Sequence, residues 1–216
     1  MISFIYFDVG DTLLHKPGVI PQIDGVLKKH NIERSPKVIR KAHFGLREQL
    51  TAPPATNLEF YRYFNTELLI RLNIPPRDEI VLSIYEACRE LPWIVSDGIN
   101  TLNDIECQIG ILSNWDTSLR TKLSDLVPVQ FDNIVVSGEL GVSKPDPVIF
   151  KKALSIANCK APEVAIVGDS PRLDINPATS LGWSAILYDP HDLSPSHSGL
   201  RITKLSHLAK LLSNVA

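Results

Sequence analysis

The 216-residue chain predicts an α/β fold, a parallel sheet covered on both faces with a bundle of helices inserted after its first strand. Three observations lead there. Residues 4–7 are a short apolar, aromatic run closed by Gly10, the pattern of a strand buried on both faces. Residues 16–92 carry helical periodicity alone, punctuated by prolines. From about Trp93 onward strand and helix patterns alternate, which demands a parallel sheet with helices on its faces.

Taken in order, the first strand delivers Asp8 to its C-terminal exit. In 20–30, 37–50, 58–72 and 78–90 apolar residues recur at spacings of three and four, so each is expected to be a helix. Pro17, Pro36, Pro53-Pro54, Pro75-Pro76 and Pro92 separate them. Strands are then expected at 105–112, 133–137, 164–167 and 184–187. Helices are expected at 117–126, 147–157, 174–181 and 204–212. Asp146 and Pro147 supply an N-cap and first turn for the second of these, and Gly182 ends the third. The expected division is a core of 1–15 with 93–216 and a helical domain of 16–92.

Composition is that of an ordinary globular protein, 44% hydrophobic and 21% charged. A net charge of -2 gives no basic footprint, so neither nucleic acid nor a membrane surface is an expected partner. The amino terminus lacks the pattern of a signal peptide, Asp8 interrupts its apolar run, and no apolar stretch is long enough to span a bilayer. A cytoplasmic protein is expected. Cys88, Cys107 and Cys159 stand far apart with no partner at ligand spacing and are expected to be buried, reduced thiols. His191 and His197 fall in a polar stretch and are expected to be solvated.

The chemistry-bearing residues follow the strands. Open parallel sheets place their sites just beyond the carboxyl ends, where Asp8 stands. A carboxylate there is able to attack an electrophile, bind a metal, or both. Three more strand exits carry polar clusters: Ser113-Asn114, then Ser143-Lys144-Pro145-Asp146-Pro147, then Gly168-Asp169-Ser170 with Asp174 beyond. Singly these read as a turn hydroxyl, a solvated cation and helix caps. Together they bring a nucleophile candidate, a hydroxyl, an amide, a lysine and two more carboxylates to one sheet edge.

In their order, FDVGDTLL, ILSN, SKPDP and VGDSPRLD, with helices between the first two, these segments resemble the four motifs of the haloacid dehalogenase superfamily of hydrolases. The likeness covers 2 to about 188 and implies a Rossmann-like core with an inserted helical-bundle cap of the C1 type. It implies a phosphatase in which Asp8 attacks phosphorus, Lys144 offsets the negative charge and Ser113 bonds a phosphoryl oxygen. Thr12, Asn114 and Trp115 are implied near the substrate, with Asn114 orienting either substrate or a neighbouring loop and Thr12 holding the turn. Magnesium is the implied cofactor, held by Asp8, the backbone carbonyl of Gly10, Asp169 and Asp174; all-oxygen donors suit such a hard ion. The implied partner is a small phosphorylated molecule, with Arg40, His43, Arg47, Tyr61 and Arg62 of the helical domain as candidate specificity contacts.

One position departs from the family pattern. Its phosphatases usually carry an acid/base aspartate two residues after the nucleophile, where this chain has Gly10 followed by Asp11. General acid-base help is typically worth about a hundred- to ten-thousandfold. Asp11 is the remaining acid/base candidate, although adjacent residues leaving a strand tend to point opposite ways. Weak phosphatase activity is therefore expected, best on aryl or acyl phosphates. The rivals are a 2-haloacid dehalogenase, which needs no general acid, and a binding protein without turnover.

Overall fold

The computed structural model describes residues 1–50 and 56–215; Pro53 and Pro54 lie outside the described residues. The chain divides into two compact units, Met1–His15 with Val95–Ala216, and Lys16–Ile94.

The first unit opens with β1 (Phe4–Phe7), all four residues buried, and β2 (Leu14–His15). The second unit contains α1 (Val19–Lys29), α2 (Pro36–Arg47), α3 (Leu58–Arg71) and α4 (Asp78–Arg89). Their start signals act as the sequence suggests. Ser35 accepts from the Val38 N–H with Pro36 in the first turn, and Asn57 accepts from the Phe60 N–H. One face of each helix is buried: Ile20, Ile23, Ile39, Leu46, Leu68, Leu69, Ile80 and Ile84 share one core. Asn65 is buried among them and donates to the Val81 carbonyl at 3.2 Å, which removes the cost of an unpaired amide.

β3 (Ile94–Val95) straddles the boundary, and the first unit continues with β4 (Gln108–Ser113), α5 (Leu119–Leu126), β5 (Asn133–Val136), α6 (Ser137–Leu140) and α7 (Pro147–Ala157). They are followed by β6 (Val164–Gly168), α8 (Asn176–Ser180), β7 (Ser184–Tyr188), β8 (Leu200–Ile202) and α9 (Leu208–Val215). Six strands form one sheet in the order β5-β4-β1-β6-β7-β8, every neighbouring pair parallel. β2 and β3 pair separately as a short ribbon. The most apolar strands, β1 and β6, lie side by side at the centre, with Phe7 opposite Val167 and, on the other flank, Ile111. Register therefore brings Asp8, Ser113 and Asp169 out at one edge.

On one face Tyr6 stacks against Trp183 (5.6 Å), which meets Phe150 edge-on (5.7 Å). The buried Tyr6 hydroxyl donates to the Ala153 carbonyl at 2.7 Å. The Trp183 Nε1 is buried with no hydrogen-bond partner, an unpaid desolvation.

The structure shortens or shifts several expected elements. The strand expected from 105 begins at Gln108 because 99–104 form a 3-10 turn. The helix expected over 174–181 is only Asn176–Ser180, preceded by a wider π turn, Pro171–Ile175, that contains Asp174. The final helix begins at Leu208 rather than 204. β2, β3, α6 and β8 are short elements the sequence pattern did not reveal. The three cysteines are free but half-buried rather than buried, and His197 is half-buried with its Nε2 shielded from solvent. No helix among the described residues is long and apolar enough to cross a membrane.

Trp183→Ala is expected to cost about 3–5 kcal/mol, since it empties the space between Tyr6 and Phe150. Trp183→Phe keeps a ring there and removes the orphaned N–H, so its cost should stay under about 1.5 kcal/mol. Urea unfolding of the two variants measures the difference.

Candidate active site

Asp8 leaves β1 with its backbone N–H bound to the Val167 carbonyl of β6 at 2.9 Å. Its Oδ1 accepts from Ser113 Oγ at 3.1 Å and from Lys144 Nζ at 2.7 Å. Lys144 donates again to Asp174 Oδ1 at 2.5 Å. The ammonium is 1% exposed and Asp174 is equally buried. Burial by itself lowers a lysine's pKa. Here the charges of Asp174 and Asp8, and the hydrogen bonds to them, outweigh it and hold Lys144 above its ordinary value. Burial likewise pushes the Asp174 carboxyl up, with Lys144 pulling it back only in part.

Each member is held by its surroundings. Asn114 clamps the lysine loop from both sides: its Oδ1 accepts from the Lys144 N–H at 2.7 Å and its Nδ2 donates to the Lys144 carbonyl at 2.8 Å. Asp174 Oδ2 accepts from the Ser170 N–H at 3.1 Å, and Ser170 Oγ accepts from the Leu173 N–H at 2.9 Å, which shapes the turn. Gly168 makes room for that turn: a Cβ there would lie 2.4 Å from the Asp174 carboxyl carbon. The Trp115 backbone is fixed by Ser137, whose Oγ accepts from its N–H and donates to its carbonyl, both at 3.1 Å.

The carboxylates of Asp8, Asp169 and Asp174 each offer an oxygen, and these lie within 4.8 Å of one another, all buried. Lys144 bonds two of these three carboxylates, and the donors are all oxygen. That excess negative charge and donor chemistry fit a hard divalent cation.

The structure thus brings together Asp8, Ser113, Lys144, Asp169 and Asp174. Of the two roles expected for Asn114, its amide takes the second, binding the neighbouring lysine loop. Thr12, expected near the substrate, is 0% exposed and its Oγ1 has no partner among the described residues. The turn buries it because the N–H groups of Thr12, Leu13 and Leu14 all point back to the Val9 carbonyl. Gly10 has an ordinary φ, and among the described residues other than its chain neighbours Trp115 Cζ3 alone lies within 4 Å of where its Cβ would be, at 3.9 Å. Asp11 adopts φ 57, and its charge helps hold the Tyr188 phenol above its usual pKa, behind burial as the main cause. Sequence reasoning gave no role to Gly168, Ser170 or Ser137; the Ser-Pro of 170–171 was the one available signal, an N-cap followed by a first-turn proline. Of the candidate specificity residues, His43 packs edge-on against Phe64 and Arg62 pairs with Asp78 at 3.4 Å, both within the helical unit.

An aspartate at a strand exit, bonded to a buried lysine within a carboxylate cluster, on a parallel sheet with a helical insertion after its first strand, is the architecture of a class of α/β hydrolases. The family model described as haloacid dehalogenase-like hydrolase matches residues 2–182, and the chain belongs to that family. It is 31% identical over 152 residues to a ribulose-1,5-bisphosphate 5-phosphatase of Halopiger xanaduensis, covering 67% of this chain and 64% of that protein. It is 25% identical to a glyceraldehyde 3-phosphate phosphatase of Methanothermobacter thermautotrophicus over 98% of both. The solved HAD-hydrolase YfnB of Bacillus subtilis, bound to magnesium, matches at TM-score 0.66 and 22% identity over 98% of this chain and 99% of that one. Solved structures of the same fold include both phosphatases and 2-haloacid dehalogenases. The chain is accordingly a hydrolase whose named relatives act on phosphate esters.

Lys144→Met is expected to destabilise the fold by about 3–5 kcal/mol at neutral pH, because it strands buried carboxylates. Asp174 binds its proton more tightly folded than unfolded, so the variant should recover stability as pH falls from neutrality. Denaturation midpoints measured across that range report both effects.

Proposed function

We propose that the chain is a magnesium-dependent phosphatase that removes the phosphoryl group from a small phosphorylated metabolite through an aspartyl-phosphate on Asp8. The observation that carries this reading is the double use of Asp8: it is bound by Ser113 and Lys144 and also belongs to the carboxylate cluster with Asp169 and Asp174. A nucleophile that shares an acidic cluster suits a reaction in which phosphoryl oxygens and a cation must meet.

Asp8 Oδ1 is taken by Ser113 and Lys144, which leaves Oδ2 to attack. Lys144 stays charged throughout and offsets the charge that builds as the pentavalent phosphorus forms. Ser113 supplies a hydroxyl beside the same oxygen. Asn114, through the lysine backbone, positions Lys144. Magnesium would be held by Asp8, Asp169, Asp174 and the Gly10 carbonyl, and supplies neutralisation of phosphoryl charge. The inserted helical unit is assigned as a cap, which favours small substrates over proteins. The free cysteines suit a cytoplasmic setting.

The acidic pair Asp169 and Asp174 weighs against a dehalogenase, whose attack on carbon has no use for a cation site. Incubation with p-nitrophenyl phosphate should release phosphate only with magnesium present, and Asp8→Asn should reduce that release to background. Halide release from chloroacetate without metal would instead identify a dehalogenase, and silence toward both substrates a binding protein.

A further inference from the structure

We propose that Ser96 is a positioning residue for the cation site: by holding Leu13 and His15 it fixes the direction of the Gly10 carbonyl, one of the groups assigned to magnesium above. This inference rests on the magnesium-dependent reading and adds to it a residue outside the motif segments.

The physical basis is the backbone after the nucleophile. A carboxylate has rotatable bonds with which to meet a cation; a backbone carbonyl points where its peptide plane points. The plane between Gly10 and Asp11 is set by a bond at its other end, where the Asp11 N–H donates to the Leu14 carbonyl at 2.7 Å. The peptide is trans, so the Gly10 carbonyl is directed opposite to that N–H. Gly10 and Leu14 also pair as an isolated bridge. Whatever holds Leu14 therefore aims the Gly10 carbonyl.

Ser96 holds the residues on either side of Leu14. Its N–H donates to the Leu13 carbonyl at 2.8 Å, and its Oγ shares a hydrogen bond with His15 Nδ1 at 3.3 Å. One residue thus grips positions 13 and 15 from 81 positions beyond His15. Ser96 is in turn well anchored. It is 3% exposed, and its carbonyl accepts from the Ile99 N–H at 3.3 Å, where the 3-10 turn Ile99–Asp104 begins. The side chains of Leu13 and Leu14 are buried, so the gripped segment has an apolar footing as well. Every one of these contacts lies within the first unit.

The test compares wild type with Ser96→Ala, His15→Phe and the double variant. Isothermal calorimetry measures magnesium binding without turnover, and the exchange rate of the Asp11 amide reports its bond to Leu14 in metal-free protein. Each single substitution should weaken magnesium binding about three- to tenfold, the worth of one net hydrogen bond, and speed Asp11 exchange by a similar factor. The double variant should bind no more weakly than the singles, because both remove the same bond. In p-nitrophenyl phosphate turnover the magnesium needed for half-maximal rate should rise in step, with kcat at saturating magnesium unchanged. Should Ser96→Ala fold poorly by circular dichroism, His15→Phe, which leaves Ser96 and its backbone bond in place, decides alone. Wild-type magnesium affinity in a folded variant overturns the inference, and a lowered denaturation midpoint beside that affinity shows that the hydroxyl serves stability only. Absence of magnesium binding by wild type overturns both this inference and the magnesium-dependent reading.

Discussion

The buried ammonium of Lys144 is the constraint on which the rest of this structure turns. Taking such a group out of water costs several kcal/mol, and only well-placed opposite charges offset it. Here the offset comes from Asp8 and Asp174, at 2.7 and 2.5 Å, which lie 136 and 30 residues away in the chain. The core unit is therefore assembled correctly only when the exit of β1, the lysine loop and the turn after β6 meet. Each has its own fastening: the register of β1 against β6, the two-sided clamp of Asn114, and the Ser170 turn packed over Gly168. Asp169 adds a third carboxylate whose oxygen lies within 4.8 Å of those of Asp8 and Asp174, a donor set whose chemistry suits a hard cation.

Much of this architecture is legible in the sequence because its strongest elements are its most apolar ones. β1 and β6 are uninterrupted hydrophobic runs and end at Asp8 and Asp169, so strand and chemistry announce each other. The helices of the inserted unit declare themselves by periodicity and by caps such as Ser35 and Asn57. What stays hidden is short or depends on distant contacts. β8 buries one of its three residues, too few for a pattern to show. The helix after β6 starts later than periodicity suggests because Pro171 and the Ser170 cap open a wider turn first. Thr12, which the resemblance places near substrate while its position suits holding the turn, is folded inward as three backbone N–H groups converge on the Val9 carbonyl. Gly168 and Ser137 act on residues no local rule connects them to: one yields space to Asp174, the other grips the Trp115 backbone.

The turn after Asp8 shows how far fold and chemistry are separable. Asp11 sits at φ 57, a left-handed conformation that favours glycine and that Asn and Asp tolerate better than other side chains. Asn31, Asn73 and Asn158 adopt the same conformation where helices end, which is an ordinary capping use. Asp11 has no helix to end. One residue earlier Gly10 occupies a conformation open to any residue, with room for a side chain. The glycine and the acid thus stand in the reverse of the order that backbone strain alone would choose. The turn forms regardless, because its hydrogen bonds use backbone groups: Thr12, Leu13 and Leu14 donate to Val9, and Asp11 donates to Leu14. Exchanging the two residues would leave every one of those bonds available. It would move a carboxylate to position 10, where a Cβ meets the Trp115 indole at 3.9 Å. The lysine–carboxylate cluster is thus built into the fold, whereas the turn after Asp8 is held by backbone bonds that do not depend on the side chains at 10 and 11.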